Sequence, residues 1–183
     1  MILEIVKYGN PVLRAKGVRI GEITDELKQL GADMIETMHA ANGVGLAAQQ
    51  IGQALQIAVV DVHDEEDRPS AMYIGDEEVD LEQYMPMVLI NPELTLSKEK
   101  ESGKEGCLSF PDITGAITRS VGVVCKTRLI DGTELEFEAV GLLARALQHE
   151  VDHLNGVLFI DRMNSATKVS LANRLKRMQR GED

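Results

Sequence analysis

Apolar residues recur at helical spacing in three parts of the chain. Residues 25–41 carry them three or four positions apart, which predicts an amphipathic helix capped by Thr24. Residues 140–154 are apolar on nearly every side, which predicts a helix surrounded by protein. A third helix is predicted over residues 166–179, behind the N-cap candidate Ser165.

Short runs rich in Val, Ile and Leu predict β-strands between these helices. The predicted strands are residues 55–62, 88–90, 94–97, 121–127 and 133–138. Asp131-Gly132 separates the last two, and an Asp-Gly pair between strands is a strong signal for a β-hairpin.

Residues 64–83 differ from their surroundings because they hold nine acidic residues and one basic residue, Arg68. Such a segment cannot form a core, so we interpret it as a solvated, mobile excursion on the surface. Both of its flanks resemble strands of one sheet, and the 183-residue chain is within the size of one domain. We therefore expect residues 1–183 to form a single catalytic domain.

The composition narrows the class of protein. Hydrophobic residues make up 44% and charged residues 27%, which excludes collagen-like and wholly disordered chains. The net charge of −11 repels phosphate backbones, so DNA is not expected as a partner. Neither a secretory signal nor a run of roughly eighteen apolar residues is found. The expectation is a cytoplasmic protein that does not contact membranes.

The buried helix contains the sequence HEVDH, an HExxH motif formed by His149, Glu150 and His153. Histidines four residues apart share one helix face and can chelate one metal ion. Glu150 is then placed to reach a water activated by the metal without being a ligand, as a general base does. Burial favours this interpretation, because an unpaired carboxylate and two imidazoles would be costly to desolvate.

A catalytic site of this kind needs a third protein ligand, and it must lie upstream. Phe159 occupies the position of the third histidine of metzincins, and Glu182 is the only downstream glutamate. The upstream candidates are His39, His63, Cys107 and Cys125. Cys107 lies in EGCLS, a turn between strands where a thiolate can be offered to a metal. Cys125 is interpreted as a small buried hydrophobic residue, and both histidines are expected in solvent.

Three segments together resemble those of peptide deformylases: GVGLAAQQ (residues 43–50), EGCLS (105–109) and HEVDH (149–153). Their order and spacing match that family, as do the flanking words VLINPEL and HLNGVLF. The resemblance implies an α+β fold. In it, small antiparallel β-sheets surround a central buried HExxH helix, with an N-terminal helix and a C-terminal helix.

The resemblance also implies a reaction and a cofactor. The formyl group is hydrolysed from the N-terminal formylmethionine of newly made polypeptides, which releases formate. One divalent metal ion is implied, Fe(II) in the cell, with zinc, nickel or cobalt as substitutes. Carried over residue by residue, Cys107, His149 and His153 hold the metal and Glu150 transfers the protons.

Further roles follow from the same resemblance. The Gln50 side-chain amide and the backbone N–H of Leu108 would stabilise the negative oxygen. Gly43 and Gly45 would let backbone approach the substrate, with Gly45 binding the substrate main chain as an added strand would. Glu105 and Arg119 would form a buried ion pair that steadies the cysteine loop.

Some assignments stay open at this stage. Asp152 either orients His149 or faces solvent. Leu142 and Ala146 are candidates for the pocket that takes the methionine side chain. Thr114 stands where some relatives carry an arginine beside the substrate, which leaves the preference for later residues undetermined.

The basic C-terminal helix suggests one more partner. Residues 163–181 hold five basic and no acidic residues, which would suit contact with ribosomal RNA. Two other functions share the HExxH motif. One is a zinc endopeptidase, which cleaves internal bonds. The other is a non-catalytic metal-binding or redox-sensing protein.

Overall fold

The structure is a computed structural model that describes residues 1–182. Within them, three α-helices accompany nine strands, all paired antiparallel. The helices are α1 (Asp25–Ala40), α2 (Leu142–Leu154) and α3 (Ser165–Gln179). The predicted α+β class is therefore confirmed.

Seven strands form one sheet and two form a separate hairpin. The larger sheet has the order β1 (Gly45–Ala47), β2 (Ile57–Val60), β5 (Met87–Leu96), β8 (Gly122–Arg128), β9 (Glu134–Gly141), β3 (Ser70–Ile74) and β4 (Glu77–Val79). The hairpin pairs β6 (Lys100–Cys107) with β7 (Phe110–Ser120). Because β1 ends the order of the large sheet, one side of β1 has no neighbouring strand among residues 1–182.

Helix α2 occupies the centre of the molecule. Eleven of its thirteen residues are buried, which matches the prediction of a helix surrounded by protein. Leu143 and Leu147 pack against the large sheet in a cluster that includes Met72 and Phe137. The HExxH residues His149, Glu150 and His153 are thus buried in the protein interior.

Helix α1 begins and ends almost where the pattern predicts. The Thr24 hydroxyl accepts a hydrogen bond from the N–H of Leu27 at 3.1 Å, which confirms the predicted cap. Met34 and Met38 are fully buried against strand residues such as Ile57. The helix covers the sheet near β1 and β2.

The C-terminal helix differs in one detail from the prediction. It begins at Ser165, and Asn164 caps it by accepting a hydrogen bond from the N–H of Thr167 at 2.8 Å. The predicted N-cap at Ser165 was wrong by one residue. Only Met178 of this helix is buried, and it packs with Phe110 and its neighbours.

Two predictions about strands need correction. The acidic segment 64–83 is not wholly a mobile excursion, because residues 70–74 and 77–79 extend the sheet beyond β9, with Met72 fully buried. Residues 88–90 and 94–97 belong to one strand, β5, which is interrupted by a bulge. The predicted hairpin at Asp131-Gly132 is found between β8 and β9.

Candidate active site

Three side chains converge where the hairpin meets α2. Cys107 is the last residue of β6, just before the turn of Leu108 and Ser109. His149 and His153 lie one turn apart on α2. One ligand atom from each of the three residues lies within 4.8 Å of the others, the one such His/Cys/Asp/Glu group in residues 1–182.

The two imidazoles are turned so that a ring nitrogen of each faces the thiol. Nδ1 of His149 lies 2.9 Å from Oε1 of Glu105, which leaves Nε2 for another partner. Nε2 of His153 lies 3.4 Å from the Cys107 sulfur, while its buried Nδ1 has no hydrogen-bond partner among the described residues. A thiolate with two imidazoles is a donor set that fits a borderline divalent metal ion.

A buried ion cluster supports the histidine. The Glu105 carboxylate accepts two hydrogen bonds from Arg119, both 2.9 Å long, and one from Arg145 at 2.8 Å. Burial opposes ionisation of Glu105, but hydrogen bonds from His149 and Arg119 hold its pKa well below the usual range. Glu105 is therefore a fixed negative charge that orients His149.

Asp152 does not contact His149. Its carboxylate instead accepts hydrogen bonds from Arg119 at 2.6 Å and from Arg162 at 2.8 Å. Because Arg119 also binds Glu105, the ion cluster continues from the histidine to the protein surface. The orientation of His149 thus comes from Glu105. Asp152 contributes indirectly, because it binds the Arg119 side chain that holds Glu105.

Glu150 is buried beside the three convergent side chains, with 3% of its surface exposed. Burial raises its pKa to about 7. Its Oε1 atom has no hydrogen-bond partner among the described residues. A carboxyl group in this state can accept a proton and return it near neutral pH.

Gln50 sits in a short 3₁₀ turn, Ala48–Ile51, that follows β1. Its Oε1 accepts a hydrogen bond from the N–H of Ala47 at 3.0 Å, which fixes the orientation of the amide. The Nε2 group then points to the sulfur of Cys107 at 3.5 Å and to the hydroxyl of Ser109 at 3.3 Å. An amide donor therefore faces the centre of the site.

A cavity of about 610 Å³ opens onto these residues. Its lining includes residues predicted for substrate binding, Gly43, Gly45, Leu142 and Ala146, together with Thr114. A side chain at either glycine would collide with its surroundings, since a Cβ at Gly43 would lie 2.8 Å from Leu108. The cavity also reaches β1, the strand with a free edge.

The other candidate ligands lie elsewhere. Nε2 of His39 is 2.7 Å from the Asp61 carboxylate, and His63 contacts the same carboxylate through Nδ1. Cys125 is fully buried within β8, and burial raises its pKa to about 12. The two histidines and Cys125 are therefore not part of the group formed by Cys107, His149 and His153.

Several residues at the cavity were not singled out from the sequence. Arg145 lies within the buried helix α2, and a buried arginine is almost always paired with an acidic residue. The sequence therefore contained a signal that Arg145 has an acidic partner. Glu65 and Arg68 line the cavity from the acidic segment, and Arg68 donates to the carbonyl of Lys104 at 3.2 Å. Nothing local in the sequence indicates this contact.

Comparison with known proteins decides which family these features belong to. The family model for polypeptide deformylases matches residues 2–169. The chain belongs to the peptide deformylase family. A peptide deformylase of Methylacidiphilum infernorum is 46% identical over 182 residues, which cover 100% of this chain and 95% of that protein.

Solved structures agree with this assignment. The peptide deformylase of Thermotoga maritima is 38% identical, with a TM-score of 0.74 over 90% of this chain and 99% of that one. Arabidopsis thaliana peptide deformylase 1B, solved with an inhibitor, is 34% identical, with a TM-score of 0.83 over 98% and 91% of the two chains. The predicted family is therefore confirmed.

Members of this family are hydrolases that use a single metal ion and remove the formyl group from N-formylmethionyl peptides. The chain is an enzyme of that class. Among residues 1–182, none of the helices combines the length and apolarity needed to cross a membrane.

Proposed function

We propose that the protein is a metal-dependent hydrolase of formylmethionyl N-termini, in which Glu150 and Gln50 act on the formyl group. One observation carries the proposal. Cys107 and His149, which converge with His153, line a cavity that is also lined by Glu150 and Gln50. A nucleophile, a proton carrier and an oxyanion donor can therefore act on one bound carbonyl.

Cys107, His149 and His153 would hold the metal ion, Fe(II) in the cell, with zinc, nickel or cobalt as substitutes. The soft thiolate and the two borderline imidazoles support this range of ions. When bound, the ion would supply a Lewis acid that lowers the pKa of a water molecule and polarises the formyl carbonyl. Glu105 would keep His149 in the required tautomer by accepting a hydrogen bond from Nδ1, and Arg119 holds Glu105 in place.

Glu150 moves the protons. Its carboxylate removes a proton from the attacking water as the water oxygen bonds to the formyl carbon. The bond from that carbon to the methionine nitrogen then breaks, and Glu150 passes its proton to the leaving amine. The products are formate and a free N-terminus. A pKa of about 7 suits both transfers at neutral pH.

The negative oxygen that forms during the attack needs hydrogen-bond donors. The Nε2 group of Gln50 is one, because Ala47 fixes its amide with this group turned toward the cysteine. The backbone N–H of Leu108, the residue after the cysteine, would be the second. Donors that are already oriented act without reorganising during the reaction.

The substrate backbone would lie along β1. Gly43 and Gly45 leave room for it, and the free edge of β1 can pair with an extended peptide as an added strand. Leu142 and Ala146 would form an apolar wall of the cavity for the methionine side chain. This arrangement would place the formylated N-terminus beside the metal ion held by Cys107, His149 and His153.

Contact with the ribosome belongs to the same proposal. Helix α3 exposes Lys168, Lys176 and Arg177 to solvent, in a chain of net charge −11. These cations suit a phosphate backbone near the nascent peptide exit. The cellular site of action would then be the cytoplasm.

The experiment that tests the proposal uses protein purified anaerobically and loaded with Fe(II). Three peptides of one sequence are compared: formyl-Met, acetyl-Met and unblocked Met at the N-terminus. We expect formate from the first peptide and an intact chain in all three. Cleavage of an internal bond would support an endopeptidase instead. No reaction from fully loaded protein would leave the non-catalytic metal-binding or redox-sensing interpretation.

A further inference from the structure

A second cavity lies on the other side of α2 from the active site. Its volume is about 640 Å³, slightly larger than that of the active-site cavity. Gln148, Val151 and Asp152 line it, whereas His149 and Glu150 face the active site. The proposed reaction uses none of this space.

The charge of the second cavity is opposite to that of the whole chain. It is lined by five basic side chains, Lys16, Arg19, Lys100, Arg119 and Arg162, and by only two acidic ones, Glu93 and Asp152. The active-site cavity has four of each sign. A smaller cavity beside β8 has three of each. In a chain of net charge −11, such an excess of cations in one cavity is selective for anions.

Three of the five cations have no counterion among the residues that the structure describes. Lys16, Arg19 and Lys100 form no ion pair with any residue in 1–182, and all three are exposed. Arg119 and Arg162 share the carboxylate of Asp152. The charge of the first three is thus available to a ligand.

The backbone around the cavity is fixed by unusual contacts. Asn91 lies at the bulge of β5 with a φ of 51°, a left-handed conformation that asparagine adopts more readily than most residues with a side chain. Its side chain accepts from the N–H of Ile20 at 2.9 Å and donates to the Ile20 carbonyl at 2.7 Å. Gln56 donates to the carbonyl of Gly17 at 3.0 Å. These bonds hold the segment that carries Lys16 and Arg19 over the cavity.

We propose that this cavity binds a phosphate-bearing ligand. A phosphate group carries up to two charges and several acceptor oxygens, which match unpaired lysine and arginine side chains. Pro92, Leu94 and Val151 add apolar surface that can contact the organic part of a nucleotide. The phosphate can come from a free nucleotide or from the backbone of an RNA strand. This inference does not depend on the proposed reaction.

The test is a titration of the zinc-loaded protein with pyrophosphate at low ionic strength. Binding is measured by calorimetry and by changes in amide NMR shifts. We expect binding that shifts the Asn91 and Gln148 signals. The double variant R19A/K100A should bind about tenfold more weakly or worse, because it removes two of the three cations that have no ion pair within residues 1–182. The matched control, K28A/K176A, removes two exposed cations that do not line the cavity and should bind as the wild type does.

The sources are separated by repeating the titration with a nucleoside diphosphate and with a short single-stranded RNA. Of these two ligands, the one that binds the wild type more tightly and binds R19A/K100A more weakly is assigned as the source of the phosphate. Formate release from a formyl-Met peptide should be unchanged in R19A/K100A, which shows that its fold is intact. Equal binding of pyrophosphate by R19A/K100A and the wild type would place the ligand at the metal ion and would overturn the proposal. The absence of any binding would also overturn it.

Discussion

Gly45 lies directly against the side chain of Glu150. A Cβ atom added at Gly45 would stand 2.8 Å from Cδ of Glu150, well inside van der Waals contact. The β1 strand and α2 therefore approach so closely that only hydrogen fits between the strand backbone and the carboxyl. The position of the proposed proton carrier depends on the absence of a side chain at this point.

The variant Gly45→Ala tests this dependence. The added methyl group must displace the Glu150 carboxyl, and a displacement near 1 Å typically costs about 100-fold in rate. We expect kcat for formate release to fall by about that factor while the metal content is unchanged. The control is Gly21→Ala, where an added Cβ meets nothing within 4 Å. Wild-type kcat in Gly45→Ala would show that the contact does not position Glu150.

The two cysteines provide a matched test of the metal site. Cys107 faces His153, whereas Cys125 is buried in the sheet. We expect Cys107→Ser to lose most of its metal after dialysis, because a serine hydroxyl is a poor ligand for a borderline ion. Cys125→Ala should retain about one ion per chain, measured by elemental analysis. Equal metal content in the two variants would rule out Cys107 as a ligand.

The buried ion cluster should affect both stability and metal binding. Glu105→Gln removes the one carboxylate that contacts both Arg119 and Arg145. We expect a loss of about 3–5 kcal/mol in the free energy of unfolding, measured by urea denaturation. Metal affinity should fall about 10- to 100-fold, because the support of His149 is weakened. Glu134→Gln, on an exposed strand position, should change neither quantity.

A separate pH dependence is expected from the His63 and Asp61 pair. The hydrogen bond to Asp61 raises the pKa of His63 above its ordinary 6.5. The resulting stabilisation is complete below pH 6.5 and is lost as the pH rises through the higher folded-state value. His63→Asn should therefore lower Tm more at about pH 5.5 than at about pH 9. A Tm difference that grows with pH would contradict this sign.

Local signals in the sequence predicted the elements that depend on local chemistry. Spaced apolar residues marked α1, Thr24 marked its start, and Asp131-Gly132 marked the turn between β8 and β9. The HEVDH motif lay on a helix whose uniform apolarity indicated burial. Each of these features is decided within about fifteen residues, so the chain carries the information in one place.

Other elements are decided by contacts between distant segments. A turn was expected at EGCLS, but the two strands that flank it, β6 and β7, were not predicted. The sequence of β6, Lys100–Cys107, is charged and lacks apolar alternation. Residues 70–74 lie in an acidic part of the sequence and form a strand by pairing with β4 and with the distant strand β9. The partner of Arg145 is Glu105, which is 40 residues away in the chain. Neither residue alone specifies the pair.

We propose that Glu150 carries the proton in formyl hydrolysis at a metal held by Cys107, His149 and His153. The most direct test is formate release by Glu150→Gln and by the wild type, with metal content measured in both. The amide keeps the size of the side chain but cannot accept the proton. The account predicts one bound ion in each protein and a kcat reduced about 100- to 10,000-fold in the variant. A metal-loaded Glu150→Gln that releases formate at the wild-type rate would contradict it.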